Sequence, residues 1–139
     1  MFKHLLVPID LSQRNARALR TALGLARQHR ARVTLLHVVH RVEDTAFEEI
    51  RAFYDRLVTK AERTLGRAAA PFIKKGVKVR TEVLIGEPAV EIVRAAIRQH
   101  ADLIVMGSHK VKPGRPTTGW GTTSYKVGLL CQCPILLVK

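Results

Sequence analysis

The sequence predicts an α/β fold of the doubly wound, Rossmann-like kind: a five-stranded parallel sheet with about four helices on its two faces. Three observations carry this. Short apolar or β-branched runs alternate with amphipathic stretches along all 139 residues. No internal repeat, linker or low-complexity segment interrupts the alternation. Glycine, proline and capping residues mark the places where strands hand over to helices. A chain of this length suits one domain, residues 1–139, around one core.

Each element has its own signal. His4–Ile9 (HLLVPI) is a continuous apolar run, as a buried parallel strand requires. Ser12 can cap a helix over about Gln13 to Gln28. Ala16, Leu19, Leu23 and Ala26 share one face of it, while Arg14, Arg17, Arg20 and Arg27 lie largely elsewhere, as a solvated face. Arg32–Val39 (RVTLLHVV) is the second strand. A long helix follows from about Asp44 to Lys75, with Phe47, Ile50, Tyr54, Leu57, Ala61 and Leu65 at helical spacing. Pro71 is expected to kink or break it, and Gly76 to end it. Lys78–Ile85 (KVRTEVLI) alternates, as a strand nearer a sheet edge does. Gly86-Glu87-Pro88 turns into a third helix with Pro88 at its first position and an apolar stripe of Ala89, Ile92, Val93, Ala96 and Ile97. Asp102–Met106 (DLIVM) is a fourth, buried strand; a short helix spans Thr122 to Leu130; Pro134–Lys139 is the fifth strand.

Composition narrows the function classes. Hydrophobic residues make up 47% and charged residues 25%, a globular balance. No stretch reaches the roughly 18 apolar residues of a membrane span, and MFKHLLVPID reads as a strand rather than a signal peptide, so a cytoplasmic protein is expected. Cys131 and Cys133 are too close to staple a fold and lack the further ligands of a zinc site. The net charge of +13, from 24 basic and 11 acidic residues, favours anionic partners without selecting among them. Nucleic acid is the lesser candidate, because no recognition motif accompanies the charge and aromatics are only 5%.

In parallel sheets, ligands bind beyond the C-terminal ends of the strands, where strand order reverses. Two strand ends here carry distinctive chemistry. After the fourth strand, Gly107–Thr123 is long beside the usual connection of about 2–6 residues. It holds glycines, the hydroxyls of Ser108, Thr117, Thr118, Thr122 and Thr123, and the cations Lys110, Lys112 and Arg115, and it leads into a helix N-terminus. Freed backbone N–H groups and the positive end of a helix make an anion site. After the first strand stands Asp10, which either accepts from a ribose hydroxyl or caps the first helix beside Ser12.

Four segments together resemble the universal stress protein family: Val7-Pro8-Ile9-Asp10-Leu11-Ser12, Gly86-Glu87-Pro88-Ala89, Ala101-Asp102-Leu103-Ile104-Val105-Met106-Gly107-Ser108, and Cys133-Pro134-Ile135-Leu136-Leu137-Val138. They span the chain in the family's order. The resemblance implies the strand order 3-2-1-4-5, with the switch point between strands 1 and 4, so that Asp10 and Gly107 face each other. It also implies an adenine nucleotide, ATP with or without Mg²⁺, as ligand, and homodimers formed through the C-terminal strand Pro134–Lys139.

Nucleotide-binding members of that family carry Gly-x2-Gly-x9-Gly-Ser/Thr after the fourth strand. Gly107 matches the first glycine and Gly121-Thr122 the closing pair. Lys110 stands at the second glycine, and ten residues rather than nine separate it from Gly121. Its side chain either blocks close approach of the backbone to phosphate or reaches the phosphate as a point charge. By resemblance, Asp10 meets the ribose, Val38 or Val39 the adenine, and Gly107, Gly121, Thr122 and Thr123 the phosphates; Pro8, Ile9 and Met106 belong to the same nucleotide-binding set, with Ser108 and Lys110 as local additions. No catalytic constellation is legible, so at most slow ATP hydrolysis is expected. A dimeric interaction module without nucleotide is the alternative.

Overall fold

The computed structural model describes residues 1–41, 47–108 and 122–139. Five strands form one parallel sheet in the order β3-β2-β1-β4-β5: β1 (His4–Pro8), β2 (Arg32–His40), β3 (Val79–Gly86), β4 (Leu103–Gly107) and β5 (Ile135–Val138). The order is the expected one, and the switch point falls between β1 and β4. Central β1 is buried throughout and pairs with β2 from His4↔Arg32 to Pro8↔Leu36 and with β4 at Leu5↔Leu103. Among the described residues, no helix is long and apolar enough to cross a membrane.

Strand alternation divides the core in two. Leu5, Val7, Leu35 and Val105 point to the face covered by α1 (Ala16–His29) and α2 (Phe47–Lys74). Leu6, Leu36, Ile104 and Met106 point to the face covered by α3 (Pro88–Arg98) and α4 (Thr123–Leu130). Each apolar run in the sequence is continuous because both of its faces are covered.

The first helix differs in detail from its expected form. A 3-10 turn over Gln13–Asn15 precedes α1, and Ser12 caps that turn by accepting from the Arg14 N–H. The buried stripe of α1 is Ala18, Ala22 and Ala26, with Leu19 and Leu23 partly buried beside it, whereas Ala16 is exposed. The extra turn rotates the helix away from the phase that Ser12 alone suggested.

Pro71 does not break α2, which continues to Lys74. A proline inside a helix costs about 3 kcal/mol. The turn it would interrupt carries Phe72, 1% exposed and packed in the core with Leu65 and Ala69. A buried phenylalanine contributes about as much, so packing holds the turn in place.

Candidate nucleotide site at the switch point

β1 and β4 end side by side, and their C-terminal ends open onto a cleft of about 510 Å³. Pro8, Ile9 and Asp10 line it from β1, Met106, Gly107 and Ser108 from β4, Val38 from β2, and Thr122 and Thr123 from the start of α4. Nine of the residues singled out in the sequence are thus gathered in one place. Val39 is buried and points to the opposite face of the sheet from Val38, so it is not among the lining residues. Lys110 and Gly121 lie outside the described residues.

Asp10 serves the turn with one oxygen and leaves the other. Its Oδ1 accepts from the backbone N–H of Ser12 at 2.8 Å, from the Ser12 hydroxyl, and from Asn15 Nδ2 at 3.0 Å. Oδ2 has no protein donor among the described residues. Burial pushes the carboxyl's pKa up, but the Ser12 and Asn15 hydrogen bonds, with the nearby charge of His37, outweigh it and hold Asp10 below its ordinary value. Asp10 is the one acidic side chain lining the cleft among the described residues.

Opposite Asp10 stands a cluster of hydroxyls. Ser108 Oγ lies 3.4 Å from Ser124 Oγ, which lies 3.3 Å from Thr122 Oγ1. Thr122 caps α4 by accepting from the Tyr125 N–H. The first-turn N–H groups of Thr123 and Ser124 have no carbonyl behind them, which is the usual source of an anion site at a helix start. The backbone N–H of Ser108 is committed, since it donates to Val138 at 2.9 Å and extends the β4–β5 ladder.

Gly107 has space where a side chain would stand. Among the described residues, a Cβ there would meet only the Arg14 carbonyl, at 4.0 Å. Among the described residues, packing does not demand glycine at this position, which lines the cleft.

Several lining residues carry no signal in the sequence alone. Arg14 and Arg17, assigned there to a solvated face, line the cleft, as do Asn15, His37 and Lys139. His37 Nδ1 lies 2.8 Å from the Ile9 carbonyl. A carbonyl only accepts, so Nδ1 carries the proton and Nε2 is left for the cleft. Lys139 Nζ donates to Ser108 Oγ at 3.1 Å. The short spacing from Asp10 to Asn15 is the one local clue that could have been read, as an Asx-type turn. The other four residues converge only through the sheet.

The whole chain, residues 1–139, matches the universal stress protein family. It belongs to that family. Universal stress protein YxiE of Bacillus subtilis is 32% identical over 152 residues, covering all of both chains. The structure of MJ0577, a universal stress protein of Methanocaldococcus jannaschii, superposes with a TM-score of 0.86 at 28% identity, covering 100% of this chain and 96% of that one. A universal stress protein from Archaeoglobus fulgidus, in complex with dAMP, superposes at 0.73 with 26% identity, covering 99% and 98%.

Proposed function

We propose that this universal stress protein binds an adenine nucleotide, ATP with Mg²⁺ included, in the cleft between β1 and β4, and acts as a stress-response regulator rather than an efficient enzyme. The cleft's chemistry carries the reading: one carboxylate side chain with a spare oxygen after β1, hydroxyls and a helix N-terminus after β4, and the cations Arg14, Arg17 and Lys139 among the lining residues. Ribose hydroxyls fit the first and phosphates the second. The open volume over Gly107 allows a phosphate to approach the backbone. The A. fulgidus relative crystallised with dAMP supports the ligand class. Mg²⁺ is usually held by one or two carboxylates together with substrate phosphates, and Asp10 Oδ2 fits that need.

Isothermal titration with ATP, ADP and AMP, with and without Mg²⁺, tests the reading. Saturable binding of any of them, weakened by Asp10→Ala, is the expected result. No heat and no rise in Tm at millimolar nucleotide would overturn it. Lys110→Gly then separates the two roles of Lys110: tighter binding means that the side chain obstructs, and weaker binding means that it contacts phosphate.

A second property rests on β5. This edge strand leaves Leu136 and Leu137, on its two faces, at 38% and 37% exposure, and the end of α4 leaves Leu129 and Leu130 at 67% and 52%. Uncovered leucines on an edge strand favour pairing with a second copy across a two-fold axis. Sedimentation of Leu137→Glu should show a monomer where the parent chain is a dimer. A dimer unaffected by that change would place the contact elsewhere.

A further inference from the structure

The opposite end of the sheet carries a second concave site. A groove of about 790 Å³ runs along the N-terminal ends of the strands. Lys3, Arg27, Arg30, Arg32, Lys75 and Lys78 line it, and all six are exposed. Among the described residues, none of their side chains makes an ion pair. The one carboxylate in the groove, Asp102, is occupied: its oxygens accept from the backbone N–H groups of Lys3 at 2.8 Å and His4 at 3.1 Å.

Cations at this end have an ordinary use, because α1, α2 and α3 all finish there. Each helix C-terminus carries roughly half a negative charge. Three of them together with Asp102 offset fewer than half of the six cations, so a clear positive excess remains. The backbone points the same way. Arg30 and His100 sit in the left-handed conformation, at φ 56° and 54°, and both line the groove. Glycine is the favoured residue at such helix ends, as Gly76 is after α2. Two cationic or titratable side chains stand here despite the conformational cost.

The remaining lining narrows the ligand. Its apolar members are the small Ala26, Ala31 and Val77, and no Phe, Tyr or Trp is among them. Nothing there anchors a peptide side chain or stacks a base. What the groove offers is dense positive charge. We propose that it is a second anion site, separate from the cleft, which takes a linear chain of linked phosphates recognised by charge alone. The reading stands whether or not the cleft holds a nucleotide.

The test is titration of the full chain with tripolyphosphate and with longer inorganic polyphosphate, across a salt series. Binding should weaken on the order of a hundredfold between about 50 and about 200 mM salt, as release of several counterions requires. Arg27→Gln, Arg30→Gly and Lys78→Gln combined should lower affinity at least tenfold. Arg30→Gly suits its backbone conformation, so Tm should not fall on its account. Arg56→Gln, Lys60→Gln and Arg63→Gln on the exposed face of α2 remove the same net charge and should change affinity little. Should the first triple variant fail to fold, Arg27→Gln and Lys78→Gln carry the same comparison singly. Equal losses in both sets would reduce the effect to net charge and overturn the proposal. So would undetectable polyphosphate binding, a groove variant that binds as the parent does, or duplex DNA that binds the groove more tightly than polyphosphate.

Discussion

Asn15 grips Asp10 from two sides: its side-chain amide donates to the Asp10 carbonyl at 2.9 Å and to Asp10 Oδ1 at 3.0 Å. The same amide reaches the Ser12 carbonyl at 2.9 Å. One buried side chain thus fixes the exit from β1 and holds Asp10 by Oδ1 at the edge of the cleft. Asn15→Ala should cost about 1–3 kcal/mol by urea denaturation, because it strands buried polar groups. It should also weaken nucleotide binding although it removes no carboxylate. Asn15→Asp, which sets a second negative charge against the first, should be the more damaging of the two.

Gly107 separates stability from binding. Among the described residues a methyl there meets only the Arg14 carbonyl at 4.0 Å, so Gly107→Ala should alter unfolding free energy by no more than about 0.5 kcal/mol. Gly107→Val should lower nucleotide affinity by tenfold or more, because the added atoms stand in the cleft. A valine variant with intact affinity would remove Gly107 from the site.

His4 sets the first acid response. It is buried, with Nδ1 3.0 Å from the Gln99 carbonyl and Nε2 2.8 Å from Thr34 Oγ1. The carbonyl forces the proton onto Nδ1, so Nε2 accepts from the threonine hydroxyl. Burial first, opposed by the Gln99 hydrogen bond and aided by Arg32 and Arg80, lowers its pKa from 6.5. The folded state therefore binds the proton less readily than the unfolded chain. Stability is fully present above 6.5 and declines as pH falls below it. For Asp10, also lowered, the contribution is present above 3.8 and is lost only as pH falls through its lower folded value. Urea midpoints from about pH 7.5 to about pH 5 should decline in the parent and flatten in His4→Gln, with a further decline at lower pH in both.

Phe72 anchors the last turn of α2. Phe72→Ala should cost about 3–5 kcal/mol and fray the helix after Pro71, which amide exchange at Ile73 and Lys74 would report. Pro71→Ala should instead stabilise, since it restores a helical hydrogen bond at an exposed position.

The fold was legible because its signals are local. HLLVPI, RVTLLHVV and DLIVM announce buried strands by composition, and Pro88 announces a helix start by its own conformational chemistry. Asp10 and Gly107 were legible as a facing pair only once strand order was supplied, because 97 positions separate them in the chain. Arg14, Arg17, His37 and Lys139 were not legible. An arginine beside a helix cap reads as solvated until the neighbouring strand end is known. His37 looks like any strand residue until its ring is seen bonded to Ile9. The choice between Val38 and Val39 turned on the phase of β2, which one residue of slippage inverts.

The two rims of the sheet are unlike each other. β5 presents leucines, whereas β3, at the far side, carries Arg80 and Glu82, the latter paired with Arg98 at 2.6 Å. Union through β5 would consume the greasy rim of both copies and leave charged rims facing outward. Growth would then stop at two: the molecule could couple without polymerising, and crowding under stress would yield discrete pairs rather than filaments.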